Sequence, residues 1–472
     1  MVASILKRAG FGMDIVFSSA GALAGAIRNK QLSAVEALDA HLAQIDRHNE
    51  ALNGVVIRDD AAARKRAHAA DAALARGELW GPLHGVPHTL KDAFATAGLR
   101  TTIGFPPLAQ FVPHEDATVV ARLKNAGAVV IGKTNVATML GDFQTGNPLF
   151  GRTNNPWNTQ RTPGGSSGGA AAALASGMTP FELGTDLAGS IRWPAHCCGV
   201  FGLKPTEHSV SLDGVVPDPR GTPRSVRIMS SVGPLARSVG DLALVYSLIK
   251  GPDGRDTDVP PLPPVPPGLE AEALSLAGLR IAFAPDFPGL PIAASVRAAV
   301  VGLAGELDRA GAIVHEARWP AFDLGEALAG AGALIGMALG AFENGDGPGP
   351  SLADYFSALQ RRDAVIGVWE RFFDDCDVLL CPVAMTNAFA HCEPGSPLPV
   401  DDKLVDYHLV SAHACLFNYT GHPALAMPYT LDDQKLPIGV QVVARRWNDV
   451  RLLAVAAAIE QRTGGFHRPP RY

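Results

Sequence analysis

TPGGSSGGAAAALASGMTPFELGTDLAGSIRWPAHCCGVFGLKPT, residues 162–206, decides how this chain is read. The stretch opens on glycines and serines and passes at once into the small, helix-prone run 168–176. A Gly-Ser loop at a helix start offers several backbone N–H donors and tolerates dihedrals that other residues avoid. A flexible linker would not lead straight into a helix. GGSSG (164–168) also fits the elbow pattern G-x-S-x-G, but that pattern needs a strand running into its serine. Here NTQRTPGG precedes it, with Pro163 and no apolar run, and no downstream histidine stands out as a partner.

A second pattern lies upstream. GAVVIGKT (127–134) satisfies G-x4-G-K-[ST] letter by letter. A phosphate loop must curl so that its N–H groups point at phosphate. Ala128, Val129, Val130 and Ile131 form an apolar, β-branched run that prefers a strand, so nucleotide binding is disfavoured. Around these two stretches helix and strand signals alternate. Residues 33–48 read as an amphipathic helix with a Ser33/Glu36 capping box and Val35, Leu38, Leu42 and Ile45 on one face. Residues 61–76 give a second helix, and 81–94 a turn and a short strand entering a loop. Asp116 reads as the cap of a helix to Ala126, and Gly127 separates that helix from a buried strand at 128–131. GVQVVA (439–444) reads as a strand and 450–462 as a helix. The alternation makes the fold class α/β.

The chain has 472 residues, 47% of them hydrophobic and 18% charged, enough apolar material for a large core. The formal net charge of -6, without any Lys/Arg block, speaks against a nucleic-acid or anionic-membrane partner. No run reaches the ~18 apolar residues of a membrane span. Six cysteines lack paired zinc spacing and are too sparse for a disulfide scaffold, so reduced thiols in a cytoplasmic protein are expected. Residues 1–15 read as a short extension, with Met13 a second candidate start. Seven prolines between 251 and 268 read as a stiff, exposed connector. The small-residue-rich region 320–360 reads as plain helix packing in preference to an access channel.

With these residues in view, 162–206 resembles the signature of the amidase-signature family. GPLHGVP and LKD (90–92), 116–135, NPLFGRTNNPWN (147–158), GPLARS (233–238), IKGPDGRD (249–256), CPVAMTNAF (381–389) and 418–443 resemble further blocks of it. The likeness runs from about residue 16 to the end, with a signature core at about 80–206. It implies one large domain, 16–472, around a central mixed, twisted β-sheet of about ten or more strands covered by helices on both sides. It implies Lys91 as catalytic lysine, Ser166 as bridging serine after a cis peptide bond, and Ser190 as nucleophile. It places an oxyanion hole on the backbone N–H groups of Leu187, Ala188, Gly189 and Ser190. The usual residue at 188 is glycine, so Ala188 is the main departure. Ser167, Asp186 and Arg192 are expected as a buried supporting network, because a buried charge is costly unless paired. Met139, Leu140, Gly141, Asp142, Phe143 and Gln144 are expected to line the acyl pocket.

The chemistry is self-consistent. A serine hydroxyl needs a base, and a lysine serves only when burial keeps it neutral. The implied reaction is cleavage of a small-molecule amide, ester or carbamate, with no metal or organic cofactor. A homodimer is one assembly the family adopts. The alternative is the amidase subunit of a multisubunit tRNA-dependent amidotransferase. EHSVSLDGVVPDPRGTPRS, which follows GLKPT, reads against it, since such subunits usually continue with a Tyr-Gly-Arg-like stretch.

Overall fold

The computed structural model describes residues 13–215, 224–264, 274–343 and 349–472. Its strands, in chain order, are β1 (Val55–Arg58), β2 (Pro87–Lys91), β3 (Val129–Thr134), β4 (Gly146–Asn147), β5 (Gly151–Arg152), β6 (Phe181–Asp186), β7 (Phe201–Lys204) and β8 (Ser231–Ala236). They continue with β9 (Arg280–Phe283), β10 (Ile313–Glu316), β11 (Val378–Pro382), β12 (Leu398–Val400), β13 (Lys403–Val405), β14 (Ala424–Leu431) and β15 (Pro437–Val443). The main sheet runs β10-β9-β11-β15-β14-β7-β8-β6. It is mixed: β9 is parallel to β10 and β11, and the other pairs are antiparallel. Every residue of β6, β8, β11 and β15 is buried, which requires cover on both faces; β11 and β15 are mostly apolar, whereas β6 buries Glu182, Thr185 and Asp186 at the seam.

The sheet has eight strands where the resemblance implied ten or more. Strands β1, β3 and β2 make a separate three-stranded sheet in that order. This small sheet meets the edge strand β6 through side chains, not a backbone ladder. The Thr89 hydroxyl donates to Glu182 Oε1 at 2.6 Å, and Lys91 Nζ lies 2.7 Å from Thr185 Oγ1. The seam between the two sheets is where the site is built.

Local sequence explains the elements. Ser33 caps the helix Ala34–Leu52 with a complete capping box to Glu36. The helix expected from Asp116 is instead Thr118–Asn125, with Ala117 at the cap. Asp116 is drawn away by Lys124 at 2.7 Å and by the Ala97 N–H. GAVVIGKT contributes β3, the centre of the small sheet. A side chain at Gly132 would stand 2.0 Å from the Ile57 carbonyl, so strand backbone fills the space a phosphate would need. One large core cluster runs from Ala20 to Ile459. The proline-rich connector does not divide it. Asp253 accepts from Thr118 and Ser211, and Val259 is buried, which pins the connector to the body. Its residues 265–268, like residues 1–12 of the 1–15 extension, lie outside the described residues. In the 320–360 region, the helix Leu324–Glu343 buries Ala327, Ala331 and Leu334 in a second core cluster, which is packing as expected.

Candidate active site

Lys91 ends β2 and is fully buried. Its Nζ lies 2.9 Å from Ser166 Oγ, 2.8 Å from Ser167 Oγ and 2.7 Å from Thr185 Oγ1. Burial pulls the amine from its ordinary 10.5 down to about 7, against the opposing pull of Asp186 and Glu182. An ammonium would donate to all three hydroxyls. A neutral amine has two N–H donors and one lone pair, so one hydroxyl must then donate to the nitrogen. The Gly165–Ser166 peptide bond is cis, as the resemblance implied. Gly165 is hemmed by the carbonyls of Asp142 and Gln144, which a Cβ there would approach to 2.5 and 2.6 Å.

The turn from β6 into the helix Arg192–Cys198 wraps around one carboxylate. Asp186 accepts from the N–H groups of Gly189 at 2.7 Å, Ile191 at 3.1 Å and Arg192 at 3.3 Å. It also takes the Arg192 guanidinium through Nε at 3.0 Å and Nη2 at 2.9 Å. Burial alone would raise this carboxyl. The Arg192 charge and its hydrogen bonds outweigh burial and hold it well below the usual carboxylate range. Arg192 reaches further, to the Ala414 carbonyl at 2.8 Å, Gln441 Oε1 at 2.6 Å and Asn418 Oδ1 at 2.5 Å. Ser167 is not part of this knot, contrary to expectation. Its hydroxyl instead accepts from Lys91 Nζ at 2.8 Å, in space that a side chain at Gly184 would approach to 3.1 Å.

This arrangement corrects the implied oxyanion hole. The Gly189 N–H is committed to Asp186. The N–H groups of Leu187, Ala188 and Ser190 have no protein acceptor among the described residues. Ala188 is absent from the described residues with positive φ, so its methyl sits on ordinary backbone. The conformational demand falls on Gly189, whose φ is 103°. The Ser411 hydroxyl donates to the Ala188 carbonyl at 2.6 Å and braces the turn from outside. Ser190 is half-buried at its end.

Of the six expected pocket residues, Gly141, Asp142 and Phe143 line a cavity of about 390 Å³ with Thr138, Tyr407 and His408. Met139, Leu140 and Gln144 do not line it. Met139 and Leu140 take left-handed dihedrals, with φ of 50° and 62°. Gln144 turns away because its amide is held by the Cys392 carbonyl at 2.8 Å. The Phe143 carbonyl is fixed by Trp193 Nε1 at 2.8 Å. Thr185, Asn418, Gln441 and Ser411 escaped the sequence reading. Thr185 adjoins Asp186 and Asn418 opens a block already quoted, but only the fold aims their side chains. Among the described residues no group of three or more His, Cys, Asp or Glu could hold a metal ion. No described helix is long and apolar enough to cross a membrane.

A sequence model of the family named Amidase matches residues 36–345 and 347–453. The chain belongs to the amidase family. Amidase-family relatives match it almost end to end. A glutamyl-tRNA(Gln) amidotransferase subunit of Moorella thermoacetica is 34% identical over 97% of this chain and 99% of its own length. Indoleacetamide hydrolase of Bradyrhizobium diazoefficiens is also 34% identical, over 93% of this chain and 86% of its own. The solved 6-aminohexanoate cyclic dimer hydrolase superposes with a TM-score of 0.82 at 27% identity, covering 96% and 99% of the two chains. The chain is thus an amidase-family enzyme acting on C–N bonds. The whole-length likeness to the Moorella protein also removes the force of the divergent stretch after GLKPT. That stretch is short, and its residues 216–223 lie outside the described structure.

Proposed function

We propose that this chain cleaves the C–N bond of a small carboxamide through an acyl-enzyme on Ser190. One observation carries the reading: a fully buried lysine, lowered to about 7, has the Ser166 hydroxyl 2.9 Å away. A base poised near neutral pH is what general-base activation of a hydroxyl needs. Neutral Lys91 takes the proton of Ser166, which takes that of Ser190. Ser190 Oγ attacks the amide carbon. The N–H groups of Leu187, Ala188 and Ser190 receive the oxyanion, and preorganised donors of this kind are worth about 3–4 kcal/mol each. Collapse breaks the C–N bond, and the proton returns through Ser166 to the leaving nitrogen. Water then cleaves the acyl ester by the same relay. Esters and carbamates share the acylation step and belong to the substrate range.

The likeness to glutamyl-tRNA(Gln) amidotransferase subunits favours a second reading. In it the same acylation releases ammonia for use by partner proteins, and the chain works inside a complex that handles tRNA. Amine and ammonia release from glutamine, arylacetamides, anilides, an aryl ester and a carbamate, by the purified chain and by Ser190→Ala, tests both. Release that vanishes in Ser190→Ala supports the stand-alone enzyme. Release appearing only after partner proteins are added transfers the assignment to the second reading. Equal rates in parent and variant overturn Ser190 as nucleophile.

A further inference from the structure

The cavity lined by Gly141, Asp142, Phe143, Tyr407 and His408 combines one carboxylate with two aromatic rings. Asp142 presents a carboxylate there, flanked by the rings of Phe143 and Tyr407, whose centroids are 5.8 Å apart. Asp142 Oδ1 accepts from the Tyr407 hydroxyl at 2.5 Å and from the Phe143 N–H at 2.8 Å. Oδ2 accepts nothing among the described residues, and no Lys or Arg forms an ion pair with this carboxylate. The remaining ionisable neighbour in the lining is His408, which meets the edge of the Tyr407 ring at 5.7 Å. A half-buried carboxylate is normally matched by a cation, since a charge taken from water without a partner is costly. Here the partner position opens into the cavity.

We propose that the cavity takes a cationic group, of the alkylammonium or benzylammonium kind, carried by the substrate away from its scissile amide, with Asp142 as the residue that selects it. The proposal deepens the reading of Ser190 as nucleophile and rests on it. Carboxylate and aromatic faces together form the recognition chemistry of ammonium groups. The location fits, because the Asp142 and Gln144 carbonyls press on Gly165, one residue before Ser166. A substrate seated there reaches toward the proposed relay, while one with a terminal carboxylate meets like charge.

Two measurements test this. Calorimetric titration of the parent and of Asp142→Asn with benzylammonium, benzyl alcohol and benzoate reads the site without turnover. Asparagine keeps the Oδ1 acceptor that Tyr407 uses. In the parent, benzylammonium should bind at least about tenfold tighter than benzyl alcohol, the worth of a charge-assisted hydrogen bond, and the ratio should fall to about one in the variant. The ratio of kcat/KM for matched amides with terminal ammonium and terminal methyl groups should collapse in parallel. Equal binding of ammonium and alcohol by the parent, or a ratio unchanged in Asp142→Asn, overturns the proposal. Failure of the underlying reading has a separate signature: Ser190→Ala would hydrolyse the methyl-terminated amide as fast as the parent.

Discussion

Titrating the acylation rate against pH probes the role given to Lys91. The reactive form is the neutral amine, so the rate must rise as pH rises through its titration. With the amine lowered to about 7, half the molecules are competent at pH 7. About a tenth remain competent at pH 6, whereas an ordinary lysine would be neutral in only about 0.03% of molecules at pH 7. Burial therefore raises the competent fraction at neutral pH on the order of a thousandfold. The assay is kcat/KM for one neutral amide between pH 6 and 9, and the expected curve climbs to a plateau with its midpoint near 7. Glu182 sharpens the test. This carboxyl, itself pushed up to about 7 by burial, favours the charged lysine. Glu182→Gln should move the midpoint to lower pH. Lys91→Arg, whose guanidinium does not deprotonate, should lose about 10²- to 10⁴-fold in rate. A flat profile from pH 6 to 9, or full activity in Lys91→Arg, refutes the reasoning.

Three further outcomes are expected. Asp186→Ala leaves the buried Arg192 guanidinium without its carboxylate and should cost about 3–5 kcal/mol, read from urea unfolding. Gly189→Ala forces a side chain onto a φ of 103° and within 3.1 Å of Ser411 and Ala414. It should cost about 1–2 kcal/mol of stability and lower kcat at least tenfold, measured by denaturation and steady-state kinetics. Acid should unfold the protein early. His41, His88, His196 and His422 are lowered by burial to about 4, and His413 to about 3. The unfolded chain therefore binds more protons, and stability present above pH 6.5 is lost as pH falls toward 4. Thermal midpoints at pH 7.5, 6 and 5 should decline in that order, and equal midpoints would contradict it.

Local chemistry was legible in the sequence where a few adjacent residues determine it. The Ser33/Glu36 capping box closes within one turn, and the β-branched run before Gly132 is strand wherever it is placed. The pairing of Lys91 with Ser166 was legible because the surrounding signature is long. The partners of those residues were not. Thr185 meets Lys91 only because β2 and β6 lie side by side, and Asn418 meets Asp186 across 232 residues. Asp116 shows the converse: a good cap by local rule, taken by a lysine one face away. The division of the sheet was equally hidden, since it depends on which edges exchange side chains in place of backbone hydrogen bonds.

The reach of Arg192 sets a timetable for synthesis. Its partners Ala414, Asn418 and Gln441 follow it by 222, 226 and 249 residues. At about 5–20 residues per second, a ribosome needs roughly ten to fifty seconds to deliver them after the turn itself has emerged. Throughout that interval the turn that carries Ser190 lacks the carbonyls and amides that lock it. A nascent chain halted before residue 414 would hold Lys91, Ser166 and Ser190 yet none of these three partners of Arg192.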